Sequence, residues 1–309
     1  MAKAQPRSGI RQYLKRWNAP FAGYLFIAPW LIGFLVLQLW PIIQSFYLSF
    51  TEYSLLEAPQ WIGTKNFEAI ANDRLFYNSL KVTFTYVLAS VPLKLAAALG
   101  VAMLLSRAIR GISLYRTVIY LPSLIGGSLA VAVLWKNIFG IDGFINKLGV
   151  VIGITPKNWI GSPETAIWTL ILLTCWQFGS AMIIFLAGLK QIPSELYEAS
   201  SVDGASKFRQ FFMITLPMLS PVILFNLIMG IINSFQAFTS AYIVTNGGPI
   251  NSTEVYALFL YNKAFGSLEM GYASALAWIL LVIVSIFTLA NFLASKYWVF
   301  YESETGSGK

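Results

Sequence analysis

Six stretches of this chain are each long and apolar enough to cross a bilayer, and nothing else in the sequence restricts its fold as strongly. A spanning helix needs roughly 20 predominantly apolar residues. Residues 24–48, 82–105, 117–139, 166–189, 219–244 and 272–295 meet that requirement. None of the six alternates apolar and polar residues over blocks of about ten, which argues against barrel strands. The segments between them are too short for a second folded domain. The expected fold is therefore all-α membrane, with six transmembrane helices. Composition agrees. Only 11% of residues are charged and 57% are hydrophobic, against about 25% charged in an ordinary soluble domain. With a mean hydropathy of +0.67, the chain lacks the polar surface to cover a water-soluble globule. That excludes a cytosolic enzyme and a disordered chain. The absence of histidine excludes histidine-built zinc or haem chemistry, and a single cysteine, Cys175, excludes an internal disulfide. Cys175 is expected to pack without a redox role.

Charge placement sets the expected orientation. The net charge is +8. Assigning the N-terminus to the cytoplasm puts thirteen Lys and Arg on cytoplasmic segments, seven on the opposite side, and leaves Lys94 over. This bias predicts both termini inside and makes the basic excess a topology signal rather than a nucleic-acid surface. Lys15 and Arg16 before the first window imitate a secretory signal. That window, however, is too long, carries Pro29 and Pro41, and has no small-residue cleavage site, so it is expected to remain as a helix.

Two of the outer loops carry strong turn signals, Gly140-Ile-Asp-Gly143 and Asn246-Gly-Gly-Pro249, and the first, around Trp61-Ile-Gly63, a weaker one. Residues 190–217, between the fourth and fifth windows, are different: long, charged and helical in composition. Ser194 is placed to cap a short helix whose Glu195 meets the positive end of the dipole. Gly204 is placed to end it in the left-handed conformation. A second short helix from about Ala205 carries Phe208, Phe211, Phe212 and Ile214 before Pro217. Two short helices at an angle make either a docking knob or an amphipathic segment on the membrane surface.

Glu198-Ala199-Ser200, three residues, Gly204, nine residues, then Ile214-Thr215-Leu216-Pro217 resembles the EAA loop of binding-protein-dependent ABC importer permeases. Asp203-Gly204-Ala205 fits the D-G-A core of that motif. Ser200 departs from it where alanine is usual. Trp61-Ile-Gly63, Asn66-Phe67, Thr245-Asn-Gly-Gly-Pro249 and Gly271-Tyr-Ala-Ser-Ala275 are similar to the carbohydrate-uptake subfamily. The resemblance implies a type I ABC importer permease fold in the plasma (inner) membrane of a bacterium or archaeon. It divides the chain into an N-terminal tail, first helix and outer loop (1–77), a permease core (78–295) and a cytoplasmic tail (296–309). It also implies a non-catalytic subunit that pairs with a second permease as a heterodimer. Two ATPase subunits would bind ATP and Mg, and an extracytoplasmic solute-binding protein would deliver a sugar. By motif position, Glu198, Ala199, Asp203, Gly204, Ala205, Leu216 and Pro217 would couple to the ATPase. No G-x-x-x-x-G-K-[ST] phosphate loop is present; Gly306-Ser-Gly-Lys309 only imitates its end.

The substrate path is expected from polar residues inside the windows. Lys94 is the one charge near the centre of a span, and Pro92 frees the Leu88 carbonyl beside it. A buried lysine is costly. Lys94 therefore faces a backbone carbonyl, the second permease or an anionic substrate such as a uronate-containing oligosaccharide, unless it snorkels outward. Asn226, Gly230 and Asn233 recur on one helical face, and with Gln236 they offer amides to sugar hydroxyls or to neighbouring helices. Trp176, Gln177 and Trp278 are further candidates, the tryptophans either stacking on sugar rings or belonging to an interfacial belt. None of the thirteen acidic residues falls inside a window, which argues against a proton- or sodium-coupled carrier. An intramembrane enzyme lacks a suitable catalytic set. Another polar solute, such as glycerol phosphate, is the alternative cargo.

Overall fold

The computed structural model describes residues 19–106 and 111–300. The N-terminal cations up to Arg16, the pair Arg107 and Arg110, and the tail Gly306-Ser-Gly-Lys309 lie outside the described residues.

The first span is α1 (Ala19–Phe34), a π turn (Leu35–Leu39) and α2 (Trp40–Leu48). Pro41 has no N–H to offer Leu37, and just before it the Trp40 amide reaches one residue further back, to the Leu35 carbonyl. A wide turn ahead of a proline is how a helix continues past the missing donor. The same device recurs at Phe211–Thr215 before Pro217, where the Leu216 amide bonds to the Phe211 carbonyl.

Beyond α2 the chain forms a feature not expected from its weak turn signal. Strands β1 (Thr51–Glu52) and β2 (Gln60–Trp61) pair antiparallel, with Thr51 opposite Trp61. The α3 helix (Lys65–Ala71) follows. Asn66 closes this hairpin: its buried amide donates to the carbonyls of Ser49 and Thr51, both at 2.9 Å.

Helix α4 (Arg74–Leu105) runs 32 residues, capped by Asp73, whose carboxylate accepts from the Leu75 amide at 2.8 Å. It starts eight residues before the second apolar window, because its first turns are polar. It is the axis of the bundle. Tyr86 and Val82 pack with Leu170, Ile171 and Leu173, and Ala98 and Ala102 pack with Met182 and Phe185.

The third window is not one straight helix. It contains α5 (Ile112–Ile125) and α6 (Leu129–Phe139), with α7 (Phe144–Val151) beyond it. Gly126-Gly127 interrupts the apolar run and Ser128 starts a new helix, accepting from the Val131 amide. The fourth window bends by 44° between α8 (Pro163–Trp176) and α9 (Gly179–Leu189). Next come α10 (Ser194–Val202), α11 (Lys207–Gln210), the π turn already noted, α12 (Leu216–Met218) and α13 (Ser220–Phe235), with a 67° bend into α13. Four described helices are long and apolar enough to span, and six spans result if each bent pair counts as one.

After α13 a π turn (Ala241–Thr245), α14 (Tyr256–Tyr261) and a further π turn (Asn262–Gly266) lead to α15 (Met270–Ser295). Tyr256 ties this region inward: its amide bonds to the Thr83 hydroxyl and its phenol to the Leu276 carbonyl, each at 2.7 Å. Gly271 lets α15 start against the hairpin, since a Cβ there would collide with the Thr51 carbonyl oxygen.

Candidate functional site

Two regions collect the sequence-derived candidates. The first is the knob formed by α10 and α11. Pro193, extended at φ −59° and ψ 133°, occupies the cap position, and Ser194 is already the first helical residue, with no side-chain cap. This corrects the expectation that Ser194 caps. At the other end Gly204 has φ +75°. The Ala205 amide bonds to the Ser200 carbonyl at 2.9 Å and the Gly204 amide to the Ser201 carbonyl at 3.1 Å. This is the Schellman closure that a left-handed residue permits. The second helix starts later than expected, at Lys207, because Ser206 accepts from the Arg209 amide.

The knob has two faces. Glu198, Ala199, Asp203 and Gly204 are exposed, whereas Ala205, Leu216 and Pro217 are half-buried at its base. The inward face is held by residues that motif reasoning missed. Gln210 is buried, and its amide nitrogen lies 2.8 Å from both the Ser200 and Ser201 hydroxyls and 3.2 Å from the Tyr197 carbonyl. The Tyr197 phenol meets the Thr215 hydroxyl at 2.9 Å. Ser200, the one departure from the motif, is therefore a link between the two short helices. A glutamine inside the run Phe208 to Ile214 was the available signal. Outward, Val202 is 89% exposed, Phe208 75% and Met213 68%. Large apolar side chains left bare on a charged loop mark a contact surface.

The second region is a cavity of about 410 Å³ inside the bundle. Three helix breaks line it: Gly126–Ser128 between α5 and α6, Gln177 at the end of α8, and 236–240 after α13. Irregular backbone at membrane depth is tolerated only where it is buried in protein or lines a cavity, and broken helices are where transporters place polar-solute sites. Lys94 lines both this cavity and a neighbouring hollow of about 230 Å³, as do Gly230 and Asn233. Asn226 lines the hollow, and Gln177 and Gln236 line the cavity.

The amides present acceptors. Asn226 donates to the Val222 carbonyl at 3.0 Å, Asn233 to Met229 at 2.8 Å and Gln177 to Gly126 at 3.0 Å, which leaves each side-chain oxygen for a ligand hydroxyl. Tyr86 and Thr174, hydrogen-bonded to one another, also line the cavity; neither stood out in the sequence. No carboxylate lines the cavity or the hollow with Lys94. Among the described residues the one ion pair joins Lys263 to Glu269, at 3.0 Å.

Two candidates are not brought to the cavity. Trp176 packs on Trp135 with centroids 5.9 Å apart, and Trp278 meets Phe46 of the first span edge-on at 4.8 Å. Cys175 packs against the same core cluster as Trp135 and Trp176.

The family model described as "binding-protein-dependent transport system inner membrane component" matches residues 84–298. The probable ABC transporter permease protein YesP of Bacillus subtilis (strain 168) is 55% identical over 287 residues, covering 92% of this chain and 93% of the relative. The arabinooligosaccharides transport system permease protein AraP of the same organism is 31% identical, covering 93% and 92%. The crystal structure of a bacterial ABC transporter involved in the import of the acidic polysaccharide alginate superposes with a TM-score of 0.80. It is 22% identical and covers 92% of this chain and 98% of that one.

Proposed function

The chain belongs to the inner-membrane components of binding-protein-dependent transport systems, and from that premise we propose that it forms one half of the membrane path of an ATP-driven oligosaccharide importer. It pairs with a second, non-identical permease. Two cytoplasmic ATPase subunits, which hold ATP and Mg, seat the knob of α10 and α11, and a solute-binding protein delivers the sugar on the hairpin side. This subunit catalyses no reaction itself. Its membrane is the plasma membrane of a bacterium or archaeon, with both termini and the knob inside.

The observation that carries this reading is the cavity: one cation, several amide and hydroxyl groups, and no acid. Amide oxygens accept from sugar hydroxyls, and the uncompensated charge of Lys94 favours a sugar bearing a carboxylate. A uronate-containing oligosaccharide satisfies both. The knob then transmits closure of the ATPase pair to the helices that line the cavity.

The test is uptake into proteoliposomes holding the assembled transporter and its binding protein, with neutral and uronate-containing oligosaccharides offered in parallel. Lys94→Ala should lower uronate uptake about tenfold, the weight of one charge-assisted hydrogen bond, and leave neutral sugars within about twofold. Equal uptake of uronates by the variant removes the carboxylate assignment. Transport of glycerol phosphate but of no saccharide removes the sugar assignment.

A further inference from the structure

Four aromatic rings lead away from the cavity towards the side of the molecule that carries the β1–β2 hairpin. Phe238 lines the cavity. Its ring lies parallel to that of Tyr242, with centroids 5.3 Å apart and 16° between planes, and 4.8 Å from Tyr261. Tyr242 and Tyr261 are 5.4 Å apart, and Tyr261 is 5.0 Å from Phe265. Tyr242 is 41% exposed and Phe265 58% exposed. The row begins at a polar hollow and ends in the open.

The local backbone places these rings. Tyr242 sits on the π turn Ala241–Thr245, and Tyr261 and Phe265 sit at the end of α14 and on the π turn that follows it. Residues four apart on a helical turn share a face, which aligns Phe238 with Tyr242 and Tyr261 with Phe265. Tyr256, packed against Phe76 near the start of α4, holds α14 at the hairpin side, opposite the knob. Rings serving only as interfacial anchors have no reason to begin at a cavity that also presents Lys94, Asn233, Gln236 and Ser240.

We propose that Phe238, Tyr242, Tyr261 and Phe265 form a stacking track that guides successive sugar rings from the hairpin side into the Lys94 cavity. The inference rests on the saccharide reading given above. A saccharide ring has an apolar face of C–H groups that packs on aromatic faces, phenylalanine and tyrosine alike. Neighbouring ring planes lie 16° to 64° apart, so a saccharide passes from one ring to the next rather than lying flat along the row. A cavity of about 410 Å³ is large enough for a short saccharide; a longer one extends onto the track.

The test uses the reconstituted transporter with its binding protein, and oligogalacturonates and maltooligosaccharides of two to five rings as probes. Phe265→Ala and Tyr261→Ala should each raise KM for the four- and five-ring probes about tenfold, the factor matching one lost aromatic contact. The two-ring KM should stay within about twofold, and Tyr261→Phe should behave as the unaltered chain. Phe292→Ala, on an exposed ring of α15, is the control for a lipid-facing aromatic. Shifts that are equal at every length, or that Phe292→Ala reproduces, overturn the track alone. An unaltered transporter that takes up none of the probes overturns the saccharide reading and the track with it.

Discussion

Among the described residues, Glu254 is the acid whose surroundings fit its charge least. Only 8% of it is exposed, one carboxylate oxygen has no partner, and the other accepts from Asn262 at a long 3.4 Å. Burial pushes its carboxyl above the ordinary value, Asp73 nearby pushes it the same way, and the Asn262 bond offsets only part of this. The folded state thus holds this proton more tightly than the unfolded chain does. The resulting stabilisation is complete below the ordinary carboxylate range and is lost as pH rises through the raised folded value. Above that raised value the ionised side chain is a net cost. Glu254→Gln should therefore stabilise the chain in detergent at pH 7.5, read as a higher melting temperature, by at most roughly 1–3 kcal/mol, the cost of an unpaired buried acceptor. The gain should shrink towards about pH 4, where glutamate is itself neutral. A variant less stable than the unaltered chain at neutral pH would overturn the reading of Glu254 as a buried, poorly satisfied acid.

At the scale of elements, the knob was legible in the sequence because its chemistry is local. Gly204 closes α10 through two hydrogen bonds within six residues, and a glycine after a short amphipathic run announces that closure. The helix breaks were not legible in this way. Gly126-Gly127 lies in an apolar run, and glycines are common in spanning helices, so the pattern does not separate a break from a close packing contact. Nor does it say which face points inward when a helix is apolar all round. Trp176 and Trp278 were candidates by residue type, yet the rotation of α8 and α15 turns them onto Trp135 and Phe46. Lys94, Gln177, Asn233 and Gln236 could be found because a polar group in an apolar span must face a cavity or a partner.

Two substitutions test the knob as a unit. Gly204→Pro cannot adopt φ +75°. It should leave insertion intact and abolish uptake while ATP hydrolysis continues; normal transport would separate the knob from coupling. Gln210→Ala removes the donor shared by Ser200, Ser201 and Tyr197. It should lower uptake several-fold, and Ser200→Ala less, since two acceptors remain. Equal effects of the two would place the link at Ser200 alone.

For the whole molecule, the first span decides whether the bundle is complete in one chain. The most apolar window of Gly23–Leu48 has none of its residues buried, whereas 28% of the corresponding window of Arg74–Leu105 is buried. Its attachments gather at the C-terminal end, where Phe46 meets Trp278, and Phe50 stacks on Trp61 of the hairpin at 5.6 Å. Upstream, Phe26, Trp30 and Leu37 stand bare. A helix apolar on every face and free of its own bundle is solvated either by lipid or by another subunit. Lipid alone would not demand particular side chains, whereas a second permease would, because helix association in a bilayer depends on shape-matched packing. Replacing residues 23–40 with an unrelated Leu-Ala span of equal length, and keeping Phe46 and the hairpin, separates these cases. If the second permease packs here, the exchanged chain should insert normally but recover several-fold less of that partner on affinity purification. Undiminished recovery would assign this face to lipid and move the pairing surface to the exposed side chains of α5 and α15.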